Sequence, residues 1–221
     1  MRVLVLKMGT TEPRVVAVHG DYDHWFRVGL EAAGCSVSVC NVFDGAPLPE
    51  VLMADGILLT GSPLSVRDEA PWMRRVGEWA LEQARSGVPV FAICFGHQLL
   101  GECLGDRVGE NENGPEWGAV EVSIYGQDPL FEGLPQSIVV QASHRDVLFG
   151  LPEGATCLAG NANTAVQAYA WGEHLRAVQF HPEAKAEAIA DLLAFRGLEG
   201  RIESSDHGQQ ILTNWVKHWL A

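Results

Sequence analysis

Two short segments of this 221-residue chain hold three residue types that together can break an amide bond. Cys94 lies in Val90-Phe91-Ala92-Ile93-Cys94-Phe95-Gly96-His97-Gln98-Leu99. The apolar run before it reads as a buried strand, and Gly96 to Leu104 reads as the start of a helix. A cysteine at such a corner projects its sulfur from the sheet edge, as serine does in a nucleophile elbow. The helix N-terminus and a nearby imidazolium would both favour thiolate, the reactive form. Taken alone, such a cysteine is more often one more buried thiol. The second segment, Leu175-Arg176-Ala177-Val178-Gln179-Phe180-His181-Pro182-Glu183, changes that balance. Another strand ends at His181, and Pro182 blocks its continuation through its fixed φ and missing N–H. A regular strand would point His181 and Glu183 the same way, whereas a turn at the proline would fold the carboxylate back onto the ring. Either geometry lets Glu183 fix the tautomer and stabilise the imidazolium. An isolated His-Pro-Glu is usually only a strand-ending turn. With Cys94 it completes a nucleophile, a base and a carboxylate to orient the base.

A sheet must hold these groups together. Strand-like runs occur at Val3–Lys7, Val37–Asn41, Gly56–Thr60 and Val90–Cys94, separated by helix-like stretches around Trp25–Ala33 and Trp72–Arg85. That alternation reads as βαβ units in a three-layer α/β domain with a mostly parallel central sheet and flanking helices. From Gly118 to Phe180 strand-like runs come with few helical intervals, as a small antiparallel extension would. Helices return at Ala184–Phe195 and about Gln209–Leu220, with a polar loop at Gly197–Gly208 between them. Neither a repeat nor a linker interrupts the chain, so residues 1–221 read as one domain.

Composition narrows the function. Apolar residues make up 47% of the chain, and no segment approaches the roughly 18 apolar residues of a membrane span. The N-terminus enters a strand-like run without a signal-peptide pattern, so a cytoplasmic protein is expected. Five cysteines, an odd number without a CxxC, argue against a disulfide framework; Cys35, Cys40, Cys103 and Cys157 read as small core residues. A formal charge of −13 disfavours nonspecific nucleic-acid binding, which relies on lysine and arginine. His97 and His144 lack the spacing of a metal site such as HExxH, and no GxGxxG or P-loop pattern occurs. Neither a metal nor a nucleotide cofactor is expected.

The Phe95-Gly96-His97-Gln98 after Cys94 and the His181-Pro182-Glu183 closing a strand resemble the class I glutamine amidotransferases, the glutaminase domains of GMP synthetase, carbamoyl phosphate synthetase and anthranilate synthase. The likeness runs nearly end to end. It takes in Leu58-Leu59-Thr60-Gly61-Ser62-Pro63, Glu116-Trp117-Gly118, Ser143-His144 with Asp146, and Ile211-Leu212-Thr213-Asn214-Trp215, and it is greatest to the stand-alone, GMP-synthetase-type branch. The resemblance implies a flavodoxin-like fold and hydrolysis of glutamine to glutamate and ammonia through a γ-glutamyl thioester on Cys94, with His181 and Glu183 as base and orienting acid. It implies an oxyanion hole from the backbone amides of Ser62 and Phe95, and a substrate pocket from Gly61, Gln98, Ser143 and His144. Two positions depart from the pattern. Ala92 stands two before the nucleophile where glycine is usual, and Arg145 stands where GMP synthetases have glycine. No motif for binding ATP or an acceptor is recognisable, so ammonia would pass to a separate synthetase subunit. Two other readings stay open, a stand-alone γ-glutamyl peptidase and a glutamine-binding regulatory module. Oligomeric state is not legible.

Overall fold

A computed structural model describes residues 1–221. Strands β1 (Arg2–Leu6), β2 (Ser36–Cys40), β3 (Gly56–Leu59) and β4 (Val90–Ile93) pair in parallel in the order β2-β1-β3-β4. Helices α1 (Pro13–His19) and α2 (Tyr22–Ala32) join β1 to β2, and α3 (Pro71–Arg85) joins β3 to β4. After α4 (Phe95–Cys103) come β5 (Val108–Glu110), β6 (Glu116–Ile124), β7 (Ser137–His144), β8 (Asp146–Leu148), β9 (Ala155–Gly160) and β10 (Ala168–Trp171). Strand β11 (Leu175–Val178) then returns to lie parallel to β4. The nine-stranded sheet reads β2-β1-β3-β4-β11-β10-β9-β6-β7, and β5 and β8 form a separate antiparallel ribbon. Helices α5 (Ala186–Arg196) and α6 (His207–Trp215) close the chain, α6 running on into a π-helical turn at Val216–Leu220.

Side-chain alternation along the inner strands builds two cores from one sheet. Val3, Val5, Leu58, Phe91, Ile93 and Val178 face the layer of Phe26, Leu30, Ile211 and Trp215. Leu4, Leu6, Ile57, Leu59, Val90 and Ala92 face Met73, Val76, Ala80 and Leu99. The cores are nearly equal, 25 and 23 buried residues, so these strands are apolar on both sides, as parallel strands covered by helices must be. Helix α3 opens on Pro71, whose missing N–H costs nothing in the first turn. Its buried Met73, Val76, Gly77, Ala80, Leu81 and Ala84 recur at helical spacing.

The antiparallel extension continues the parallel sheet edge to edge. One feature was not anticipated. Helix α1 precedes α2, and the connection between them is held by Asp21. The Asp21 carboxylate accepts the amides of Thr11 and Tyr22 at 3.0 and 2.8 Å. It also pairs with Lys7 at 2.7 Å, and Lys7 reaches Asp23 at the same distance.

Candidate active site

Cys94 stands where β4 passes into α4, with φ 50° and ψ −100°. A positive φ at a side-chain-bearing residue is strained. The surroundings hold it: the Cys94 amide donates to Val178 O at 2.8 Å and its carbonyl accepts from the Gln98 amide at 3.0 Å. The corner is tight enough to need Gly96, because a Cβ there would lie 2.8 Å from Leu59 Cβ. Ala92 is fully buried in β4, and the elbow forms with alanine where glycine is usual. Phe95 is the first residue of α4, and its N–H has no acceptor within the helix. On the loop after β3, the Ser62 amide has no acceptor in the protein, while the Ser62 hydroxyl accepts from the Leu64 amide at 3.1 Å.

His181 lies three residues past the end of β11, in an isolated bridge with Gln141, and its Nδ1 is 2.8 Å from Glu183 Oε1. Both side chains are buried. The turn at Pro182, not a continued strand, brings the carboxylate back onto the ring. Burial pulls the imidazole pKa down, but the Glu183 carboxylate and the Cys94 sulfur together outweigh it and hold the ring well above its ordinary value. The ring is confined from two sides. Tyr22 stacks on it with centroids 6.1 Å apart and planes at 11°. Gly61 lies so close that a Cβ there would sit 2.7 Å from His181 Cε1. Gly61 therefore makes room for the His181 ring, a role distinct from the substrate contact expected of it.

A cleft of about 180 Å³ is lined by Ser62, Cys94, Gln98, Ser143 and His144. Gln98 Nε2 donates to Asp146 O at 2.6 Å and to Gln179 Oε1 at 3.1 Å, which leaves its Oε1 toward the cleft. Ser143 is half-buried and His144 buried. The His144 ring turns away from the cleft, with Nε2 3.0 Å from Glu116 Oε2, its opposite residue in the β6–β7 register. Glu116 also accepts from Asn161, Thr164 and Gln167, each at 2.7 Å. Burial works to raise the Glu116 pKa, yet His144, Thr164 and Asn161 outweigh it and leave the carboxyl below its usual range. His97, in the first turn of α4, is fully buried against the Tyr169 ring and pushed down to about 3 by burial and by nearby His144. It faces the core and not the reacting groups.

Several cleft residues escaped the sequence reading. Trp117, Arg67 and Arg196 line the cleft beside Arg145, and Tyr22 packs behind His181. Arg67 is held by Asp146 through two hydrogen bonds of 3.1 Å, and Ser65 donates to the same carboxylate at 2.5 Å. Trp117 belongs to the Glu116-Trp117-Gly118 motif, which by itself assigns it no role. The others come from distant segments with no local pattern. No group of three or more His, Cys, Asp or Glu side chains is arranged to hold a metal ion. No helix is long and apolar enough to cross a membrane.

Comparison with known proteins shows the family of the chain. Residues 15–199 match the model of the family described as glutamine amidotransferase class-I. The chain is 33% identical over 167 residues to a glutamine-hydrolysing GMP synthase subunit from Saccharolobus solfataricus, covering 75% of this chain and 86% of that protein. It is likewise 33% identical over 173 residues to the corresponding subunit from Methanopyrus kandleri, covering 77% and 88%. A glutamine amidotransferase structure from Thermotoga maritima superposes with a TM-score of 0.80 over 100% of this chain and 98% of that one, at 21% identity, a likeness of fold alone.

Proposed function

The chain belongs to the class I glutamine amidotransferase family and is an enzyme of that family; from that premise we propose that it hydrolyses glutamine through a Cys94–His181–Glu183 triad and passes the ammonia to a separate synthetase subunit. The observation carrying this reading is the 2.8 Å contact from Glu183 to His181 Nδ1, which directs the opposite edge of the ring toward the sulfur at the Cys94 elbow.

Cys94 Sγ attacks the γ-carbonyl carbon as His181 Nε2 takes the thiol proton. The carbonyl oxygen becomes an oxyanion, within reach of the Ser62 and Phe95 amides; losing one such donor typically costs about a hundred- to thousandfold in rate. The C–N bond breaks as His181 returns its proton to the departing ammonia, leaving a γ-glutamyl thioester on Cys94. Water, deprotonated by His181, attacks the thioester and releases glutamate and the thiol. Gln98 Oε1 suits the substrate ammonium, and the Ser143–His144 backbone flanks the same end. The likeness to proteins named as subunits of a GMP synthase supports transfer of ammonia between chains.

The test is glutamate release from glutamine by the purified chain and by Cys94→Ser. Turnover that falls at least about a thousandfold in the variant, with glutamyl label trapped on the wild-type protein by acid quench, is the expected result. Equal turnover in both would overturn the assignment of Cys94.

A further inference from the structure

We propose that Thr60 is a positioning residue for the oxyanion hole: its hydroxyl holds the Gly61 carbonyl and so sets the N–H of the same peptide, that of Ser62, as a donor to the oxyanion. This assignment rests on the glutaminase reading given above.

Thr60 follows β3 directly and is fully buried. Its amide donates to Leu6 O at 3.1 Å. Its hydroxyl lies 3.0 Å from the Met8 amide nitrogen and 2.8 Å from Gly61 O. An amide N–H can only donate, so a lone pair of the hydroxyl meets Met8 and its single hydrogen goes to Gly61 O. The direction of both bonds is therefore fixed by chemistry. Gly61 C=O and Ser62 N–H belong to one trans peptide plane and point opposite ways. Holding the carbonyl toward Thr60 turns the Ser62 N–H away from it. That N–H has no acceptor in the protein, and Ser62 lines the cleft with Cys94. A Cβ on Gly61 would lie 3.6 Å from Cys94 Cβ, so the peptide begins beside the nucleophile.

The rest of the loop keeps this peptide in place. Pro63 confines Ser62 to extended backbone, and the Ser62 hydroxyl accepts from the Leu64 amide at 3.1 Å. The segment after β1 packs close against the same residues. A Cβ on Gly9 would lie 2.5 Å from Ser62 Oγ and 2.9 Å from Pro63 Cδ, so only glycine fits there without moving the loop. Orientation matters twice over to the reaction. With the N–H toward the substrate, the peptide stabilises the negative charge that develops on the carbonyl oxygen. Turned over, the same peptide would present its own carbonyl oxygen to that charge. A hydroxyl that only closed off the strand end would need the Met8 amide and nothing more. The bond to Gly61 O is the one that acts on the site.

The experiment follows glutamine turnover by wild type, Thr60→Val, Thr60→Ser and Gly9→Ala. Thr213→Val serves as control, since it removes an exposed hydroxyl bonded to a backbone carbonyl within α6. Alkylation of Cys94 by iodoacetamide is measured beside it, with Cys94→Ser as background, because displacement at a saturated carbon develops no oxyanion. Thr60→Val should lower kcat about ten- to a hundredfold with KM little changed, less than outright loss of a donor. Its Cys94 should be alkylated at the wild-type rate. Thr60→Ser keeps the hydroxyl and should restore kcat to within about threefold of wild type. Thr60→Val also strands the buried Met8 amide, so its Tm falls and the assays are run well below it. Gly9→Ala displaces Ser62 and Pro63 without touching Thr60, and should show the same split between turnover and alkylation even if Thr60→Val does not fold. Thr213→Val should match wild type throughout. Wild-type kcat in a folded Thr60→Val or in Gly9→Ala would overturn the proposal while leaving the glutaminase reading standing. So would alkylation that falls in step with turnover, or failure of Thr60→Ser to restore kcat. Absence of Cys94-dependent glutamine turnover in the wild type would overturn both.

Discussion

The molecule holds two buried imidazole–carboxylate pairs, His181 with Glu183 and His144 with Glu116, and they are built for different ends. In the first, Glu183 gives one oxygen to His181 Nδ1 at 2.8 Å, and its other oxygen has no protein partner. The full charge of this carboxylate therefore acts on the ring, which sits against Cys94. In the second, Glu116 lies 3.0 Å from His144 but also accepts from Asn161, Thr164 and Gln167. Its charge is distributed over a network that ties β6, β7 and the segment after β9 together. A carboxylate with one partner tunes that partner; a carboxylate with four holds a structure in place.

Substituting the two acids in parallel sharpens this contrast. Glu183→Gln should lower kcat about a hundred- to ten-thousandfold, since the ring loses both its tautomer and its counter-charge. The limb of the pH–rate profile belonging to His181 should move to lower pH, because the removed charge is one that raises the ring's pKa. Stability responds to the same charge. A histidine raised in the fold contributes stability that is complete below its unfolded value near 6.5 and is lost as pH rises through the folded value. That contribution should shrink in Glu183→Gln when denaturation is followed across neutral pH.

Gly61→Ala attacks the same pair from the other side. A methyl 2.7 Å from His181 Cε1 must displace the ring, and a displacement of this kind should cost about a hundredfold in kcat. Wild-type kcat in this variant would sink the idea that Gly61 makes room for the base.

Glu116→Gln should invert the balance. An amide NH₂ placed among side-chain donors leaves buried groups unmatched, for a stability loss of about 1–3 kcal/mol in urea denaturation, with kcat lowered by less than tenfold. If Glu116→Gln instead abolished turnover without loss of stability, the division between tuning and holding would fail.

The smallest effect on turnover concerns His97, whose pKa of about 3 reflects burial first and then nearby His144. A group depressed in the fold contributes stability present above its unfolded value near 6.5 and lost as pH falls toward the folded one. Between pH 6.5 and about 4.5, His97→Leu should lower the slope of stability against pH by about 1.4 kcal/mol per unit. An unchanged slope would place the proton elsewhere.

Legibility in the sequence follows the range of each contact. The elbow, β4 with α4, and the turn at Pro182 are local, so Cys94, His181 and Glu183 were readable from neighbours only a few residues away. The parallel strands were readable because both faces are buried and the runs are apolar throughout. Glu116 and His144 are 28 positions apart and meet only through the β6–β7 register, so their pairing had no local sign. Arg67 and Arg196 reach the cleft, and Tyr22 reaches His181, from separate helices and loops, and all three were missed for the same reason.

By itself the sequence determined the family, the α/β class and the three residues proposed to carry the chemistry, because those depend on short-range patterns of hydrophobicity, turn residues and spacing. The tertiary structure alone decided which oxygen of Glu183 meets His181, that Gly61 clears space for the ring, and that His144 turns from the cleft to Glu116. It also decided that Arg145 and Arg196 line the same cleft. These outcomes depend on sheet order and on the angle at which α5 leaves the His181 turn, and such long-range geometry leaves no periodic trace along the chain.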